Sequence, residues 1–330
     1  MLTERLRSSN YTFYDKLKLI DYFLIIIVIL IGAVSVFAIY STESGKFSYY
    51  TKNHLVRLVA FFSMFLVLSF VRITFWYKNS YNFYLACIFL LFLVFVFGLT
   101  ASGSKRWINL YFLNLQPSEL MKIAIIVCFS RYYHRIQTAD IQNYKFIIIP
   151  LILLIIPSYL VISQPDLGTA ILIAGSGIAV IWLAGLNIKF FVYSVILLIV
   201  SLPFAISLLK PYQKARILTF LNPENDPTGA GYHVIQSKIA IGSGGFFGQG
   251  IGEGILKEKI PDANTDFIFA VAGEELGFIF CLIIIFIILS IIVRSLLKVL
   301  QLENPYKIIA ISGLICSFGL QCLINIFSSL

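Results

Sequence analysis

The run IDYFLIIIVILIGAVSVFAIY at residues 20–40 decides the fold class, because it is apolar on every face of a helix. After Asp21 it contains no charged residue, and as a helix it is long enough to cross the roughly 30 Å of hydrocarbon in a bilayer. A surface helix of a soluble protein needs one polar face, which this run lacks. The run therefore predicts a transmembrane helix.

The rest of the chain repeats this pattern. Of 330 residues, 59% are hydrophobic and 12% are charged, whereas a soluble domain carries roughly 25% charged residues. We predict an all-α polytopic membrane protein with about nine transmembrane helices. The predicted helices are Ile20–Tyr40, Leu55–Val71, Tyr81–Thr100, Pro117–Ser130, Phe146–Ile162, Gly168–Ala184, Phe190–Leu209, Phe267–Val293 and Ile308–Phe327.

The positive residues indicate how the chain crosses the membrane. The formal net charge is +9, but Lys and Arg stand between the apolar runs rather than on one face of a folded domain, which argues against nucleic-acid binding. Segments that lie inside when the N-terminus is cytoplasmic hold more of these cations than the short outer loops. We therefore predict a multi-pass membrane protein with a cytoplasmic N-terminus. One transmembrane domain then spans residues 1–330, and residues 210–266 form a large extracytoplasmic loop within it.

Three polar clusters interrupt the apolar chain, and the predicted topology places all of them at the outer face. In the first, Lys105 and Arg106 are residue types that bind phosphate oxygens, and Trp107 suits either the headgroup level or stacking on a sugar. Glu119 and Lys122 follow and, being three residues apart, share one helix face. The alternative for this cluster is an interfacial anchor with a structural ion pair.

The other two clusters lie in a tight hairpin and in the large loop. The hairpin Gln164–Thr169 contains Asp166, which is a candidate to bind substrate and, more simply, an N-cap for the sixth predicted helix. The large loop contains the glycine-rich run Gly242–Gly254. That run fits neither a P-loop nor a dinucleotide-binding fingerprint, and it predicts a re-entrant or tightly folded segment.

Asp266 stands at the mouth of the eighth predicted helix. A carboxylate at an apolar boundary can have its pKa raised, because burial disfavours the charged form. Such a group suits general-base chemistry. The alternative is that Asp266 caps the helix, and both roles can hold at once.

In this order and at these separations, the clusters resemble motifs of the SEDS family of peptidoglycan polymerases, whose members include RodA and FtsW. The matching stretches are Gly103–Trp107, Gln116–Leu120, Gln164–Thr169 and Thr265–Ala270. The sequence is similar to RodA up to about residue 250 and to FtsW after it, which suggests the hypothesis of recombination between two paralogues. It departs from the family in lacking the C-terminal Pro-Phe-x-Ser-Tyr-Gly-Gly-Ser motif and the tenth helix, and in having Asn264 in place of a histidine.

The resemblance implies a glycosyltransferase that polymerises lipid II into glycan strands for cell elongation, with an FtsW-like role in cell division as the alternative. The family's essential aspartate falls on Asp266, which we assign as the base that activates the acceptor hydroxyl. The candidates to bind the anionic substrate are Lys105, Arg106, Lys214, Arg216 and Lys238. The implied location is the bacterial inner membrane, and the implied protein partner is a class B penicillin-binding transpeptidase within an elongation or division complex. A divalent cation is left open, and no other cofactor is indicated.

Two further functions remain as alternatives. A lipid II flippase or other transporter needs polar residues along the middle of several helices, whereas the ionisable groups here gather at the outer ends. The chain also stops at Leu330 directly after an apolar run, which predicts that a partner helix is missing. An inactive truncated copy is therefore the third interpretation.

Overall fold

The computed structural model describes residues 17–18, 20–101, 104–109, 114–136, 141, 143, 145–208, 214, 222, 224, 230–259, 263 and 265–329. Helices dominate this part of the chain, and three short strands follow the third helix. In chain order the elements are α1 (Tyr22–Thr42), α2 (Tyr49–Ser69), α3 (Ile73–Phe97), β1 (Leu99–Ala101), β2 (Ser104–Asn109), β3 (Asn114–Leu115), α4 (Pro117–His134), α5 (Lys145–Ser163), α6 (Leu167–Leu183), α7 (Ile188–Leu208), α8 (Ala230–Ser243), α9 (Leu256–Lys259), α10 (Ile268–Val299) and α11 (Pro305–Ser329).

The long helices follow the apolar runs of the sequence. Each predicted span coincides with one helix, namely α1 to α7, α10 or α11. Among the described residues, six helices are long and apolar enough to cross a membrane: α1, α2, α3, α5, α10 and α11. The prediction of a polytopic helical membrane protein is confirmed, while the count of about nine crossings stays a prediction.

A three-stranded antiparallel sheet was missed by the all-α prediction. Strand β2 pairs with β1 on one side and with β3 on the other. Lys105 lies opposite Thr100, and Trp107 lies opposite Leu99. Strand β2 also contacts α3 and α4, so the sheet fixes the first polar cluster against the helices that flank it.

The chain divides into two compact units. The first comprises residues 1–71 and 236–294, and the second comprises residues 72–235 and 295–330. The first unit therefore contains α1, α2, α9 and the larger part of α10, and the second contains the sheet, α3 to α7 and α11. The predicted single transmembrane domain over residues 1–330 is not tested by this division and stays a prediction.

Helix α4 is the centre of the second unit. It packs against α3, α6 and α11, and Met121, Ile125 and Phe129 are fully buried. Pro117 occupies its first turn, where the missing N–H would have no intrahelical partner. Because neighbours surround α4, a polar side chain near its start, such as Lys122, is held inside the unit.

In the first unit, α10 is broken at Gly277, where φ is 85° and only glycine fits without strain. The segment Gly244–Gly250 lies against this break. Backbone hydrogen bonds join the segment to both sides of the break, in the pairs Phe278–Gly245, Ile279–Phe246, Gln249–Glu274 and Gly250–Glu275. The groups that a broken helix would leave unpaired are thereby satisfied. A tightly folded segment, one of the two alternatives for the glycine run, is confirmed.

Candidate active site

Asp266 lies in the turn that leads into α10 of the first unit, and its side chain is exposed. The carbonyl of the next residue, Phe267, accepts from the N–H of Val271 at 3.1 Å. This i to i+4 bond belongs to the first turn of α10, so the helix begins directly after Asp266 and Phe267. Phe267 also packs against the small apolar cluster that contains Ala270 and Leu256. The turn is therefore anchored by one apolar side chain while the neighbouring carboxylate stays accessible to a substrate.

A cavity of about 660 Å³ lies beside this turn. Thr265 and Ile268, on either side of Asp266, line it together with residues of α1 and one face of α2. Its volume falls within the roughly 300–1,000 Å³ of small-molecule sites. Most of the lining is apolar, and α2 contributes the more polar part with Tyr49, Tyr50, Asn53, His54 and Arg57.

The polar face of α2 was missed by the sequence analysis, which began this helix at Leu55 rather than at Tyr49. On α1, the Ser35 hydroxyl donates to the carbonyl of Gly32 at 2.7 Å. Its oxygen lies 2.9 Å from Nε2 of His54. This hydrogen bond joins α1 to α2, and its direction is set by the tautomer of His54. The ring of His54 is thus oriented by α1.

Glu274 is a buried carboxylate two turns after Asp266 on α10, 3% exposed. Its two oxygens accept from the backbone N–H groups of Ile255 and Leu256, each at 3.0 Å. A Cβ atom added at Gly254 would come within 2.7 Å of the same carboxylate. Glu274 therefore holds the chain that precedes Asp266 tightly against α10.

Glu275 makes a second buried connection in the same unit and is 1% exposed. The hydroxyl of Ser41, at the end of α1, donates to its Oε2. Its Oε1 lies 3.3 Å from Nζ of Lys257, and Lys257 also donates to the carbonyl of Gly252 and to the hydroxyl of Ser44. Neither glutamate was predicted as a site residue. Two adjacent acids in an otherwise apolar run were the available signal.

In the second unit, the structure brings Arg106 and Asp166 together. Arg106 Nε lies 3.6 Å from Asp166 Oδ2, and its Nη2 donates to the carbonyl of Pro165 at 2.6 Å. Asp166 Oδ1 accepts from the N–H of Thr169, which confirms the predicted N-cap of α6. Its Oδ2 also accepts from the Gln116 side chain at 3.3 Å. These contacts indicate that Asp166 orients Arg106, whose side chain keeps 33% of its surface exposed.

Glu119, Lys122 and Gln321 form the other polar group of the second unit. Lys122 Nζ lies 2.8 Å from Glu119 Oε2 and donates to Gln321 Oε1 at 2.8 Å. Lys122 is buried, whereas the Glu119 side chain is 46% exposed. The structural ion pair weighed as the alternative for this cluster is present, and no sequence pattern indicated that α11 would supply its third member.

The remaining predicted residues are dispersed. Lys105 and Trp107 lie in β2, and the Trp107 side chain is half-buried. Lys214 is half-buried, Lys238 is exposed on α8, and Arg216 lies outside the described residues. In the described ranges, no group of three or more His, Cys, Asp or Glu side chains has the geometry to bind a metal ion.

Comparison with known proteins identifies the family. The family model for FtsW, RodA and SpoVE, described as cell cycle protein, matches residues 16–330. The chain is a member of the SEDS family.

Relatives of this SEDS protein carry enzyme names. It is 39% identical over 279 residues to the probable peptidoglycan glycosyltransferase FtsW of Buchnera aphidicola subsp. Schizaphis graminum, covering 82% of this chain and 78% of that protein. It is also 39% identical over 247 residues to the peptidoglycan glycosyltransferase MrdB of Escherichia coli K12, covering 74% of this chain and 66% of that protein. The resemblance inferred from the motifs is thus confirmed at the level of the family, and relatives of both kinds match.

Solved structures share the fold of this SEDS chain. One belongs to a peptidoglycan synthase complex that coordinates polymerization and crosslinking, with a TM-score of 0.81 and 24% identity over 94% of this chain and 87% of that chain. The crystal structure of Thermus thermophilus RodA matches with a TM-score of 0.67 and 21% identity, covering 93% of this chain and 84% of that chain. At these identities the likeness concerns the fold alone.

Proposed function

We propose that this protein is a peptidoglycan glycosyltransferase that polymerises lipid II into glycan strands, with Asp266 as the catalytic base. The observation that carries the proposal is the accessible carboxylate of Asp266 beside a cavity of about 660 Å³, in a chain of the SEDS family. The names of the relatives, peptidoglycan glycosyltransferases of the FtsW and MrdB kinds, support the reaction class.

In the proposed reaction, Asp266 takes the proton of the acceptor sugar hydroxyl. The hydroxyl oxygen then bonds to the anomeric carbon of the donor, and the bond from that carbon to the lipid diphosphate breaks. The diphosphate leaves with the bonding electrons, so positive side chains that hold its oxygens lower the barrier. Removal of a general base typically slows a reaction by about 10²–10⁴-fold.

Arg106 is the favoured ligand for the diphosphate among the predicted cations. Its guanidinium is partly exposed, and Asp166 and the carbonyl of Pro165 hold it in one orientation. A planar guanidinium binds phosphate oxygens in pairs, which a lysine cannot do. Lys122 is buried against Glu119 and Gln321 and is better suited to orient Glu119. Lys105, Trp107, Lys214, Arg216 and Lys238 stay as proposed substrate contacts.

The decisive test compares two carboxylate variants in a polymerisation assay with purified protein and lipid II. Asp266→Asn should reduce glycan product by at least about 100-fold, because the amide cannot accept the proton. Glu258→Gln removes another exposed carboxylate, on α9, and should leave the rate unchanged. Both variants should enter the membrane in normal amounts. Normal polymer from Asp266→Asn would refute the assignment.

We further propose a role in cell elongation, with a class B penicillin-binding transpeptidase as partner. The RodA-like sequence up to about residue 250 supports elongation, and the FtsW-like remainder supports division as the alternative. The similarity to a chain from a peptidoglycan synthase complex supports a crosslinking partner. Complementation of strains depleted of either the elongation or the division polymerase separates the two roles. Rescue of the division strain alone would contradict an elongation role.

Transport of lipid II is a second candidate function, favoured by one observation. His54 and Arg57 lie within α2 and line the cavity, so ionisable groups are not confined to helix ends as the sequence analysis assumed. Vesicles that contain the purified protein distinguish the two functions. Movement of labelled lipid II without polymer would favour transport, whereas polymer without movement would favour the transferase.

A further inference from the structure

Lys257 joins several chain segments of the first unit at one point. Its ammonium group donates to the carbonyl of Gly252 and to the hydroxyl of Ser44, and its Nζ lies 3.3 Å from Glu275 Oε1. An ammonium group has three N–H donors, so one oxygen is available to each of them. The Lys257 side chain is 13% exposed, and that of Glu275 is fully buried. We call these four residues the Lys257 junction.

The backbones that meet at the Lys257 junction are in close contact and in uncommon conformations. Ser44 has a φ of 56°, in the left-handed region that residues other than glycine seldom adopt. A Cβ atom at Gly252 would come within 2.6 Å of the Ser44 Cα atom, and φ at Gly252 is 78°. Backbone in such conformations persists only where the surrounding contacts hold it. Lys257 supplies such contacts, because it bonds to both residues.

The Lys257 junction is connected to the walls of the cavity of about 660 Å³. Glu275 lies about one turn after Ala272, which lines the cavity from α10. Its Oε2 accepts from Ser41, which lies about one turn after Ala38, a lining residue of α1. The loop that contains Ser44 leads into the first turn of α2, which also lines the cavity. The junction therefore joins the three helices that line the cavity.

We propose that Lys257 is a positioning residue for the transferase reaction. Through Glu275 and Ser44 it holds α1 and the start of α2 in place relative to the turn that carries Asp266. This role rests on the proposed function, and it assigns no chemical step to Lys257 itself. A misplacement of about 1 Å, caused by a change far from the reacting atoms, can slow an enzyme about 100-fold. Loss of the junction should therefore lower kcat and change KM little, since Lys257 does not touch the substrate.

Variants of the purified full chain separate positioning from stability in a lipid II polymerisation assay. Lys257→Met alone leaves the buried Glu275 without its cation and should melt at a lower temperature. The double variant Lys257→Met with Glu275→Gln removes both charges and should melt close to the wild type, because a neutral pair needs no compensation for burial. We expect its kcat to be at least about tenfold lower and its KM to stay within about twofold of the wild type. Lys259→Met removes an exposed cation of α9 that bonds to Gln236 outside the junction, and it should leave kcat unchanged.

Ser44→Ala tests the junction without stranding a buried charge, because Ser44 is exposed. It removes one hydrogen bond of Lys257 and should lower kcat about fivefold at an unchanged melting temperature. This variant decides the question if the double variant does not fold. Wild-type kcat in a double variant that melts normally, or in Ser44→Ala, would overturn the positioning role.

Hydrogen exchange provides a readout of the Lys257 junction that needs no activity. Amides in the first turns of α2 and in residues 252–259 should exchange faster in the double variant than in the wild type or in Lys259→Met. Equal exchange in all three proteins would also overturn the role. If Asp266→Asn polymerises lipid II normally, the assignment of the base fails, whereas the exchange measurement still tests the junction. The two failures are therefore distinguishable.

Discussion

Two buried ionisable side chains among the described residues, Glu274 and Lys122, have polar partners within their own unit. Glu274 accepts from two backbone N–H groups, and Lys122 contacts Glu119 and Gln321. A buried charge without such partners loses far more hydration energy than it regains. Each of these contacts is therefore needed for folding, whether or not it also takes part in catalysis.

Glu274 gives the clearest stability prediction. Glu274→Gln replaces one acceptor oxygen with an NH₂ group that faces a backbone N–H. One hydrogen bond is therefore lost, and two donors face each other with no acceptor between them. We expect a loss of about 1–3 kcal/mol in the free energy of unfolding. Thermal unfolding in detergent measures it, with Glu253→Gln as control because Glu253 is exposed. Equal melting temperatures for both variants would show that Glu274 does not hold the loop.

Glu43, in the loop between α1 and α2, predicts a pH dependence of stability. Its carboxylate accepts from the N–H groups of Ser48, Tyr50 and Thr51 and from the Thr51 hydroxyl, which fixes the start of α2. Burial raises the pKa of Glu43, but these hydrogen bonds, foremost those from Thr51, outweigh it and leave the pKa lowered. The anion is therefore favoured by folding.

The sign of the effect follows from linkage. Since the pKa is lower in the folded protein, the stability from Glu43 is fully present above the ordinary glutamate pKa of about 4.3 and is lost as the pH falls through the lowered value. Glu43→Gln should melt at a lower temperature near neutral pH and lose less stability on acidification than the wild type. Parallel melting curves against pH for the two proteins would contradict the prediction.

Among the elements, the break in α10 depends on close contact with the glycine segment. A Cβ atom at Gly248 would come within 2.2 Å of the carbonyl oxygen of Glu275, and φ at Gly248 is 83°. Such contact and backbone angle exclude a side chain. The two halves of α10 and the segment beside them therefore form one structural piece.

Two alanine substitutions test this element. Gly248→Ala should destabilise the protein by about 1–3 kcal/mol through strain and overpacking. Gly242→Ala, in α8, has open space around the added Cβ and should be neutral or stabilise by about 0.5–1 kcal/mol. Thermal unfolding of the two variants provides the comparison. An equal effect of both substitutions would mean that the segment tolerates a side chain.

The elements that were predictable are those encoded by local patterns. Continuous apolar runs located the long helices, with ends that differ by up to eight residues, since α3 begins at Ile73 rather than Tyr81. Asp166 was recognised as an N-cap because capping involves residues three apart. The first turns of α2 were missed because Asn53 and His54 lower the local hydropathy while facing a cavity. The sheet was missed because β2 is short and because no polar boundary in the sequence marks where α3, the helix before the sheet, ends.

Across the whole molecule, the candidate site was predictable only where a family motif carried it. Asp266, Arg106 and Glu119 came from motifs. The contact of Lys122 with Gln321 joins residues 199 positions apart, and the contact of Glu274 with Leu256 needs a folded loop. Pairings of this kind depend on the tertiary fold, and no periodicity or spacing in one sequence encodes them.

The proposed orientation with a cytoplasmic N-terminus predicts opposite exposure for two surface positions. Lys238→Cys, in the large loop, should react with a membrane-impermeant maleimide added to intact cells. Gln301→Cys, in the exposed turn between α10 and α11, should react only after the membrane is opened. Wild-type protein gives the background, because its cysteines are buried or half-buried. The reverse pattern would invert the topology and place Asp266 on the cytoplasmic side.

The break at Gly277 also constrains the order of events during membrane insertion. A helix with a gap in its hydrogen-bond ladder carries amide groups that hydrocarbon cannot satisfy. Their partners, Gly245 and Phe246, precede the helix in the chain, so they have already been synthesised when the helix emerges from the ribosome. We therefore expect this segment to dock on the helix as the helix enters the bilayer, because its backbone groups are the partners that hydrocarbon cannot supply.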